Sequence, residues 1–566
     1  MEKNRIETVK IDNLGMNGEG VARVNNEVVF VPFALTNETV TCQCINNKNK
    51  FSIMKVNKII TKSDDRVTPK CPYFKKCGGC DLQHLSYQKQ LEFKTSLVKE
   101  TMQKVGNIDI DVKSCEPSSL VYNYRNKASF PIEKTASGYE IGMYRVNSHN
   151  LVNIDYCYLQ KQDINTLLKI FIKWLHKVNM YLDLVNTSFD NKQQNLLKTA
   201  YLRQNETKYQ SSFDKNSNVK TIENNSQQVK NNKIKNLNSR NVTITGKNKQ
   251  ECLTNDKNIQ NTTFENKSQQ ITTNSDEISN STTQSLQNTT KFDILKHLVV
   301  RSIDDKLLIT LVATGENIPL LYDLVSEIKN EFNDFGLNIN INNLNNNVIL
   351  SNKYKHIYGN EKLKINSKGV NLEITNASFY QVNDYIKDKI YDEVLSQIDN
   401  KIVVDAFSGA GLLTSMLAKK AKKVYGIEIV KSAVLSANEL MKNNNIKNVE
   451  NICGDCTIEL PKLIKKLKDE VTIVLDPPRK GCDKKILEAI KTASCDKIIY
   501  IACSPISLAR DCKILLENND YQITLVKPFD MFPETKNVET LCVLEKIKTK
   551  SKSLMNKKNK NKLQKY

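Results

Sequence analysis

The sequence predicts a multidomain α/β protein with three folded parts: an N-terminal OB-like β-barrel, a central α+β domain and a C-terminal doubly wound, Rossmann-like domain. Two patterns carry this prediction. Five short runs of alternating apolar and polar residues, separated by turn residues, fill positions 6–60, and a strict alternation of strand-like and helix-like segments begins near residue 401. The length of 566 residues leaves room for several domains of roughly 100–200 residues each.

Shifts in composition set the predicted domain boundaries. We expect the three folded parts to cover residues 1–62, 63–370 and 371–546. A polar insertion at about 185–295 interrupts the central domain: 51 of the 90 residues from 201 to 290 are Asn, Gln, Ser or Thr, and none is Pro. Because such a segment buries too little apolar surface to offset its chain entropy, we predict that it is disordered. The Lys-rich segment 547–566 is predicted to be a disordered tail.

The charge balance limits the kinds of partner that the chain can have. The 83 Lys and Arg residues against 62 Asp and Glu residues give a net charge of +21, and nine of the lysines lie between Lys546 and Tyr566. This excess is typical of proteins that bind nucleic acid, but a solubilising tail would give the same balance. No run of about 18 apolar residues is present, so we expect no membrane partner. The lack of an apolar leader after Met1 predicts a cytoplasmic protein whose 15 cysteines are not disulfide-bonded.

A candidate cofactor site lies at the carboxyl ends of the strands in the doubly wound domain, where such sheets bind ligands. The loop 405–411, with the sequence DAFSGAG, follows the first strand, contains Phe407 and leads into a helix predicted over Leu412–Lys423. Glu428 ends the second strand, where its carboxylate can accept hydrogen bonds from the ribose hydroxyls of an adenosine. Asp476 opens the motif DPPRKG after a buried strand predicted at Val471–Leu475, and two prolines hold it rigidly. This set is more typical of an S-adenosylmethionine site than of an NAD site; the alternative is an apolar turn beside a solvated glutamate.

A thiol and a carboxylate are predicted at the same edge of the sheet. Cys503 closes a buried strand and is a candidate nucleophile, although a buried inert thiol is the simpler alternative. Glu539 begins the last strand of a closing hairpin. If that strand runs antiparallel to the rest, it starts where the strand of Cys503 ends, and Glu539 can face the thiol.

Four cysteines have the spacing of a metal or cluster site. Cys71, Cys77 and Cys80 form a C-x5-C-x2-C motif with two glycines that permit a tight bend, and Cys157 follows far along the chain. Four thiolates can bind zinc or an iron–sulfur cluster, and the spacing alone does not separate the two.

These segments together resemble the RNA 5-methyluridine (uracil-C5) methyltransferases, which use S-adenosylmethionine. The resemblance covers almost everything except the insertion and the tail, and it implies a barrel of the TRAM type that binds RNA. Residues 377–383 are similar to the family's S-F-x-Q-V-N segment, whose Gln contacts the cofactor. The cofactor contacts that the resemblance implies are Gln381, Phe407, Glu428 and Asp476, with Asp455 as a weaker candidate.

The resemblance also implies the roles of the reactive groups. Cys503 matches the family's nucleophile and Glu539 its base, and the four spaced cysteines match the ligands of a [4Fe-4S] cluster. Residues 124–127 and 148–149 match the family's segment before the last cluster cysteine. Two positions depart from the pattern: Ser504 stands where the family usually has Asn, and Asn537 where it usually has His. These departures put fine positioning or target choice in doubt rather than the chemistry.

The implied chemistry explains why these residue types are needed. C5 of uracil is too weak a nucleophile to take a methyl group unaided, and attack of a thiolate at C6 makes it nucleophilic. A base must then remove the C5 proton, and a paired target base must first be swung out of its helix. We therefore expect a monomeric enzyme that methylates a uridine in structured RNA, most naturally 23S ribosomal RNA.

Three alternatives stand beside this reading. The target RNA could be transfer RNA, or the chain could be a non-catalytic RNA-binding module in which the thiol and the carboxylate have no chemical role. A DNA cytosine-C5 methyltransferase would share the thiol chemistry, but its Pro-Cys dipeptide is missing because Ala502 precedes Cys503.

Overall fold

The computed structural model describes residues 2–187, 292–344, 346–399, 401–467, 470–493 and 495–547. The predicted disordered insertion and Lys-rich tail therefore lie almost wholly outside the described residues. No helix within the described part of the chain is long and apolar enough to cross a membrane.

The N-terminal part is a six-stranded sheet that closes on itself. Its strands are β1 (Ile6–Lys10), β2 (Asn13–Leu14), β3 (Gly20–Val24), β4 (Glu27–Val31), β5 (Thr39–Lys48) and β6 (Phe51–Thr61). They lie in the order β1-β5-β6-β4-β3-β2. β1 and β2 lie at opposite ends of this order, yet only Ile11 and Asp12 separate them along the chain. The sheet must therefore curl into a barrel around buried residues such as Val29 and Met54. Sequence alternation predicted five strands; the two-residue β2 is too short to show alternation.

The helix that follows the barrel, α1 (Tyr87–Lys104), packs against the C-terminal sheet. Leu91, Val98 and Met102 on this helix belong to the same buried cluster as the strand residue Ile498. The sequence division placed this segment in the central domain, and its packing was not predicted.

The central part is built on a seven-stranded sheet with two helices. Its elements are β7 (Lys127–Thr135), β8 (Gly138–Tyr144), β9 (Leu151–Asn153), α2 (Gln162–Thr187), β10 (Leu295–Ile303), β11 (Lys306–Ala313), α3 (Leu321–Lys329), β12 (Phe335–Ile341) and β13 (Tyr354–Gly359). The strand order is β13-β12-β11-β10-β7-β8-β9. Trp174 on α2 is fully buried and donates a hydrogen bond to the carbonyl of Leu320 at 2.8 Å, which fixes α2 against the start of α3.

The C-terminal part is a mixed seven-stranded sheet with helices. A hairpin, β14 (Leu363–Ser367) and β15 (Val370–Ile374), precedes α4 (Asp384–Ser396), β16 (Ile402–Ala406), α5 (Leu412–Leu417), β17 (Lys423–Glu428), α6 (Lys431–Asn443), β18 (Val449–Cys453), α7 (Cys456–Lys466), β19 (Val471–Leu475), α8 (Lys484–Ala493), β20 (Lys497–Ala502), α9 (Pro505–Leu516), β21 (Tyr521–Phe529) and β22 (Glu539–Lys546). The order is β18-β17-β16-β19-β20-β22-β21. β16 to β20 pair in parallel, and β22 is antiparallel to both of its neighbours. The parallel strands linked by helices and the closing hairpin confirm the predicted doubly wound fold.

One predicted helix was wrong in length. The sequence pattern extends it from Leu412 to Lys423, but α5 ends at Leu417. The amides of Lys419 and Lys420 bond to carbonyls three residues earlier, which tightens the last turn, and the amide of Lys422 already bonds to the carbonyl of Lys401. The chain has therefore left the helix to enter β17.

A buried ion pair connects α1 to the loop between β21 and β22. The ammonium of Lys94 lies 2.5 Å from a carboxylate oxygen of Asp530, and both side chains are fully buried. The same ammonium donates to the carbonyl of Phe532 at 3.0 Å. Because a buried charge without its partner is costly, this pair holds the two segments in one arrangement.

We predict that Lys94→Met lowers the free energy of unfolding by about 3–5 kcal/mol, because it leaves the carboxylate of Asp530 buried and uncompensated. Urea unfolding followed by circular dichroism measures the change. The double variant Lys94→Met, Asp530→Asn should recover part of the loss. Lys89→Met is the matched control, because Lys89 pairs with Glu92 on the exposed side of the same helix. Equal losses for the two lysines would contradict the prediction.

Candidate functional site

A cleft of about 1190 Å³ lies at the carboxyl ends of β16, β17 and β19. Three of the residues predicted to contact a cofactor line it: Phe407 after β16, Glu428 at the end of β17 and Asp476 after β19. The parallel strands bring these side chains to one edge, as the sequence pattern indicated. The cleft is larger than the roughly 300–1,000 Å³ typical of a small-ligand pocket.

The loop between β16 and α5 has an unusual backbone. Phe407 has a φ of 66°, a conformation that is uncommon for a bulky residue, and Gly409 and Gly411 also have positive φ values of 56° and 83°. The amide of Gly409 donates to one carboxylate oxygen of Glu428 at 3.0 Å, and the amide of Val430 donates to the other at 2.8 Å. The loop therefore holds the Glu428 carboxylate at the wall of the cleft.

Two aspartates also line the cleft: Asp405, which is buried, and Asp476, which is partly buried. Burial raises the pKa of Asp405 to about 7, although Asp405 accepts a hydrogen bond from the Thr414 hydroxyl at 2.5 Å. Burial raises the pKa of Asp476 to about 7 as well. Such carboxyls are poised to release their protons when a cation enters the cleft.

Two other predicted cofactor contacts do not line the cleft. The backbone carbonyl of Gln381 accepts a hydrogen bond from Asn126 at 3.0 Å, and residues 377–380 just before it line the cleft. Asp455 is the N-cap of α7, where its carboxylate accepts from the amide of Thr457 at 2.8 Å. Capping of α7 explains the position of the Asp455 carboxylate without any bound ligand.

The predicted thiol and carboxylate stand at adjacent strand ends. Ala502 at the end of β20 pairs with Thr540 in β22, so the next positions along the two antiparallel strands are Cys503 and Glu539. Glu539 is buried and Cys503 is partly buried. The last strand is therefore antiparallel to β20, which is what the predicted proximity of Glu539 to Cys503 required.

The charges around this pair act on both groups. Burial raises the pKa of Cys503 to about 11, and the charge of Glu539 adds to the shift. Burial also raises the pKa of Glu539 to about 8, helped by Asp476. Arg479 opposes both shifts. Arg479 lies within the DPPRKG motif, but the motif alone does not show which neighbouring groups its positive charge affects.

The two positions that depart from the family pattern have local structural roles. Ser504 is the N-cap of α9, and its side chain accepts a hydrogen bond from the amide of Ser507. The amide nitrogen of the Asn537 side chain lies 3.5 Å from the hydroxyl of Thr535. Ser504 therefore supports the start of α9 next to Cys503, whereas the contact of Asn537 joins two side chains of the loop before Glu539.

The four spaced cysteines line one small cavity of about 40 Å³. Burial is the largest cause of the raised pKa of each of the four thiols, and the charges of neighbouring cysteines raise several of them further. The amide of Gly79 donates to the sulfur of Cys77 at 3.4 Å. Within the described ranges, no three His, Cys, Asp or Glu side chains converge as ligands of a single metal ion would.

Comparison with known proteins identifies the N-terminal and C-terminal parts. The model of the tRNA (uracil-5-)-methyltransferase family matches residues 252–547, more than half of the chain, and the model of the TRAM domain matches residues 2–52. These matches confirm the predicted type of the barrel.

Relatives extend the similarity to the whole chain. Uncharacterized RNA methyltransferases of Clostridium acetobutylicum and Clostridium tetani are each 30% identical, over 97% and 96% of this chain and 98% and 97% of their own length. The structure of the Pyrococcus abyssi tRNA (uracil-54, C5)-methyltransferase in complex with S-adenosyl-L-homocysteine is similar in fold, with a TM-score of 0.60 and 19% identity over 95% of this chain and 99% of that one. The chain therefore belongs to the tRNA (uracil-5-)-methyltransferase family of RNA methyltransferases and carries an N-terminal TRAM domain, as the resemblance implied.

Proposed function

We propose that this enzyme transfers a methyl group from S-adenosylmethionine to C5 of a uridine in structured RNA, with Cys503 as nucleophile and Glu539 as base. The observation that carries the proposal is the pairing of β20 with β22, which sets the two groups side by side next to the ligand cleft. A non-catalytic RNA-binding module would need neither this placement nor the cleft.

The lining of the cleft suits S-adenosylmethionine. Glu428, held at the wall by two backbone amides, can take the ribose hydroxyls of the adenosine, and Phe407 offers an aromatic surface. The carboxyl of Asp476 has a raised pKa, and a sulfonium cation would stabilise its charged form. We also propose Gln381 and Asp455 as cofactor contacts, which would require their side chains to reach the ligand from just behind the lining.

The proposed reaction uses Cys503 first and Glu539 second. The thiolate of Cys503 forms a bond to C6 of the uracil, and the electron pair displaced onto C5 attacks the methyl group. The sulfonium carbon–sulfur bond breaks and leaves S-adenosylhomocysteine. Glu539 then removes the proton from C5, and the electron pair of that C–H bond restores the C5–C6 double bond as the sulfur of Cys503 departs. Free enzyme and 5-methyluridine result once Glu539 gives up its proton.

The RNA must deliver an unpaired base to this edge. Phe379 at the cleft is 73% exposed, and an exposed aromatic ring is a surface on which an unpaired base can stack. The TRAM domain supports RNA as the substrate class. We propose 23S ribosomal RNA as the target and a monomeric, cytoplasmic enzyme, with transfer RNA as the second candidate target because the family is described by that substrate.

The four-cysteine cavity is the proposed site of a [4Fe-4S] cluster. Cys71, Cys77, Cys80 and Cys157 supply four thiols at one cavity, and an amide donor already points at one of the sulfurs. This donor set fits a cluster, in which each thiolate binds a different iron and the sulfurs stand farther apart than around zinc. The cluster would join the segment 71–80 to the strand that precedes Cys157, and we assign it no step in methyl transfer.

We predict opposite failures for the two reactive groups. Cys503→Ala should abolish methyl transfer and form no covalent complex, because nothing can attack C6. Glu539→Gln should complete attack and methyl transfer but not proton removal, so enzyme and RNA should remain bonded. A denaturing gel with labelled 23S ribosomal RNA and, in parallel, transfer RNA from cells lacking 5-methyluridine measures this as a retarded band.

The controls for this experiment test the order of the steps. The band should require S-adenosylmethionine and should be absent in the Cys503→Ala, Glu539→Gln double variant. Which of the two RNAs gives the band distinguishes the two targets. Wild-type turnover in Glu539→Gln, or a band that survives without Cys503, would show that the assigned roles are wrong.

We predict that the rate of covalent-complex formation in Glu539→Gln rises with pH from 7 to 9. The thiolate is the reacting form, and burial raises the pKa of Cys503 even without the charge of Glu539, so the thiolate fraction grows as pH increases. Arg479→Met should shift the rise to higher pH, because the guanidinium lowers the pKa of the thiol. Rapid-quench gels at each pH measure the rate. A pH-independent rate, or an unchanged profile in Arg479→Met, would count against a rate limited by thiolate formation.

We predict that anaerobically purified protein is brown and contains iron and acid-labile sulfide. Cys80→Ala should remove most of both, because it takes away one of the four thiols at the cavity. Cys495→Ala is a matched control, since Cys495 is a buried cysteine in the C-terminal core. Stoichiometric zinc without iron or sulfide in the wild-type protein would contradict the cluster assignment.

A further inference from the structure

The loop 530–538 joins β21 to β22 and leads directly into Glu539, the first residue of β22. Other parts of the chain bind its backbone at successive positions. Asn383 donates to the carbonyl of Met531 at 3.3 Å, and the hydroxyl of Tyr124 donates to the carbonyl of Pro533 at 3.2 Å. The loop that carries the proposed base is thus fixed from outside its own hairpin.

Glu534 lies at the centre of these contacts. Its backbone carbonyl accepts hydrogen bonds from the amides of Asp81 at 3.1 Å and Leu82 at 3.0 Å, the two residues that follow Cys80. Its backbone has a φ of 68°, a strained conformation for a residue other than glycine. Such strain persists only where the surroundings hold it.

Gln90 on α1 is the side chain that holds this arrangement. Its carbonyl oxygen accepts from the amide of Glu534 at 3.0 Å, and its amide nitrogen lies 3.3 Å from a carboxylate oxygen of the same residue. The amide nitrogen also donates to the carbonyls of Leu82 and Leu85 at 3.2 and 2.9 Å. Gln90 is fully enclosed, with 1% of its surface exposed. One buried amide therefore binds both the segment after Cys80 and the loop before Glu539.

The position of Gln90 on the helix reinforces this contact. Gln90, Lys94 and Val98 are spaced four residues apart, so they lie on one face of α1. The first two hold the loop 530–538, and the third packs into the C-terminal core. The helix is thus anchored to the sheet and can hold the loop rigidly.

We infer that Gln90 and Glu534 are positioning residues for the base: together they hold the Glu539 carboxylate where it can reach the C5 proton of a uracil bonded to Cys503. The inference rests on the proposed roles of Cys503 and Glu539. It also connects the segment of the cluster ligand Cys80 to the chemistry through hydrogen bonds alone. Because a displacement of about 1 Å can lower a rate roughly 100-fold, a released loop should slow the proton step specifically.

The test uses the full-length, cluster-loaded enzyme and the variant Gln90→Met, which keeps the length of the side chain but removes all four of its hydrogen bonds. Turnover should fall at least tenfold, while attack and methyl transfer continue. A covalent complex that requires S-adenosylmethionine should therefore accumulate with RNA. Iron and sulfide content should equal that of the wild type, and amides 534–541 should exchange hydrogen faster with solvent.

Val98→Ala is the matched control, because it opens a cavity on the same helix face without touching the loop. It should lower stability without accumulating the complex, whereas a purely structural role for Gln90 would make the two variants behave alike. If Gln90→Met does not fold, Glu534→Ala replaces it, since alanine keeps the strained φ but lacks the carboxylate that Gln90 contacts.

The outcomes separate the inference from the proposal on which it rests. Accumulation of the complex in Gln90→Met but not in Val98→Ala supports the positioning role. Turnover within twofold of the wild type, or a complex that does not exceed that of the wild type, would overturn it. If Glu539→Gln itself forms no complex, the proposed function fails; if Glu539→Gln forms it and Gln90→Met does not, only the positioning role fails.

Discussion

The site depends on one structural constraint, the insertion of β22 antiparallel between β20 and β21. Parallel strands bring only their carboxyl ends to the ligand edge, so each can offer only residues at its end or in the loop after it. An antiparallel strand begins at that edge and can offer its first residue, here Glu539, from a buried position in the sheet. The thiol and the carboxylate are thus adjacent through backbone pairing rather than through flexible loops.

The electrostatics of the edge follow from placing several acids in one buried space. Asp405, Asp476 and Glu539 all have raised pKa values because their charged forms are poorly solvated there. Arg479 opposes the shift of Glu539. A ligand that carries positive charge would favour ionisation of the carboxyls it approaches. A sulfonium therefore suits this cleft better than a neutral or anionic cofactor does, and its arrival would couple cofactor binding to the release of protons.

Much of the C-terminal fold could be predicted from the sequence, because buried parallel strands are short continuous apolar runs. Val471–Leu475 was predicted to the residue, and the strand–helix alternation placed Phe407, Glu428 and Asp476 at one edge. The predicted end of α5 was wrong because local helix propensity continues beyond Leu417, whereas the amide of Lys422 already bonds to the carbonyl of Lys401 just before β16. A tertiary hydrogen bond of this kind leaves no signal in a local pattern.

The contacts of the loop 530–538 could not be predicted for a similar reason. Gln90 and Glu534 are 444 positions apart, and neither belongs to a motif or a periodic pattern. A glutamine on a helix is ordinarily exposed, and only the fold shows that this one is enclosed between two chain segments. The sequence points to Cys503 and Glu539 as candidate reactive groups, since reactivity restricts residue types. The placement of these groups depends on packing residues such as Gln90. The contact of Gln90 is evident only once α1 is seen to pack against the C-terminal sheet rather than the central one.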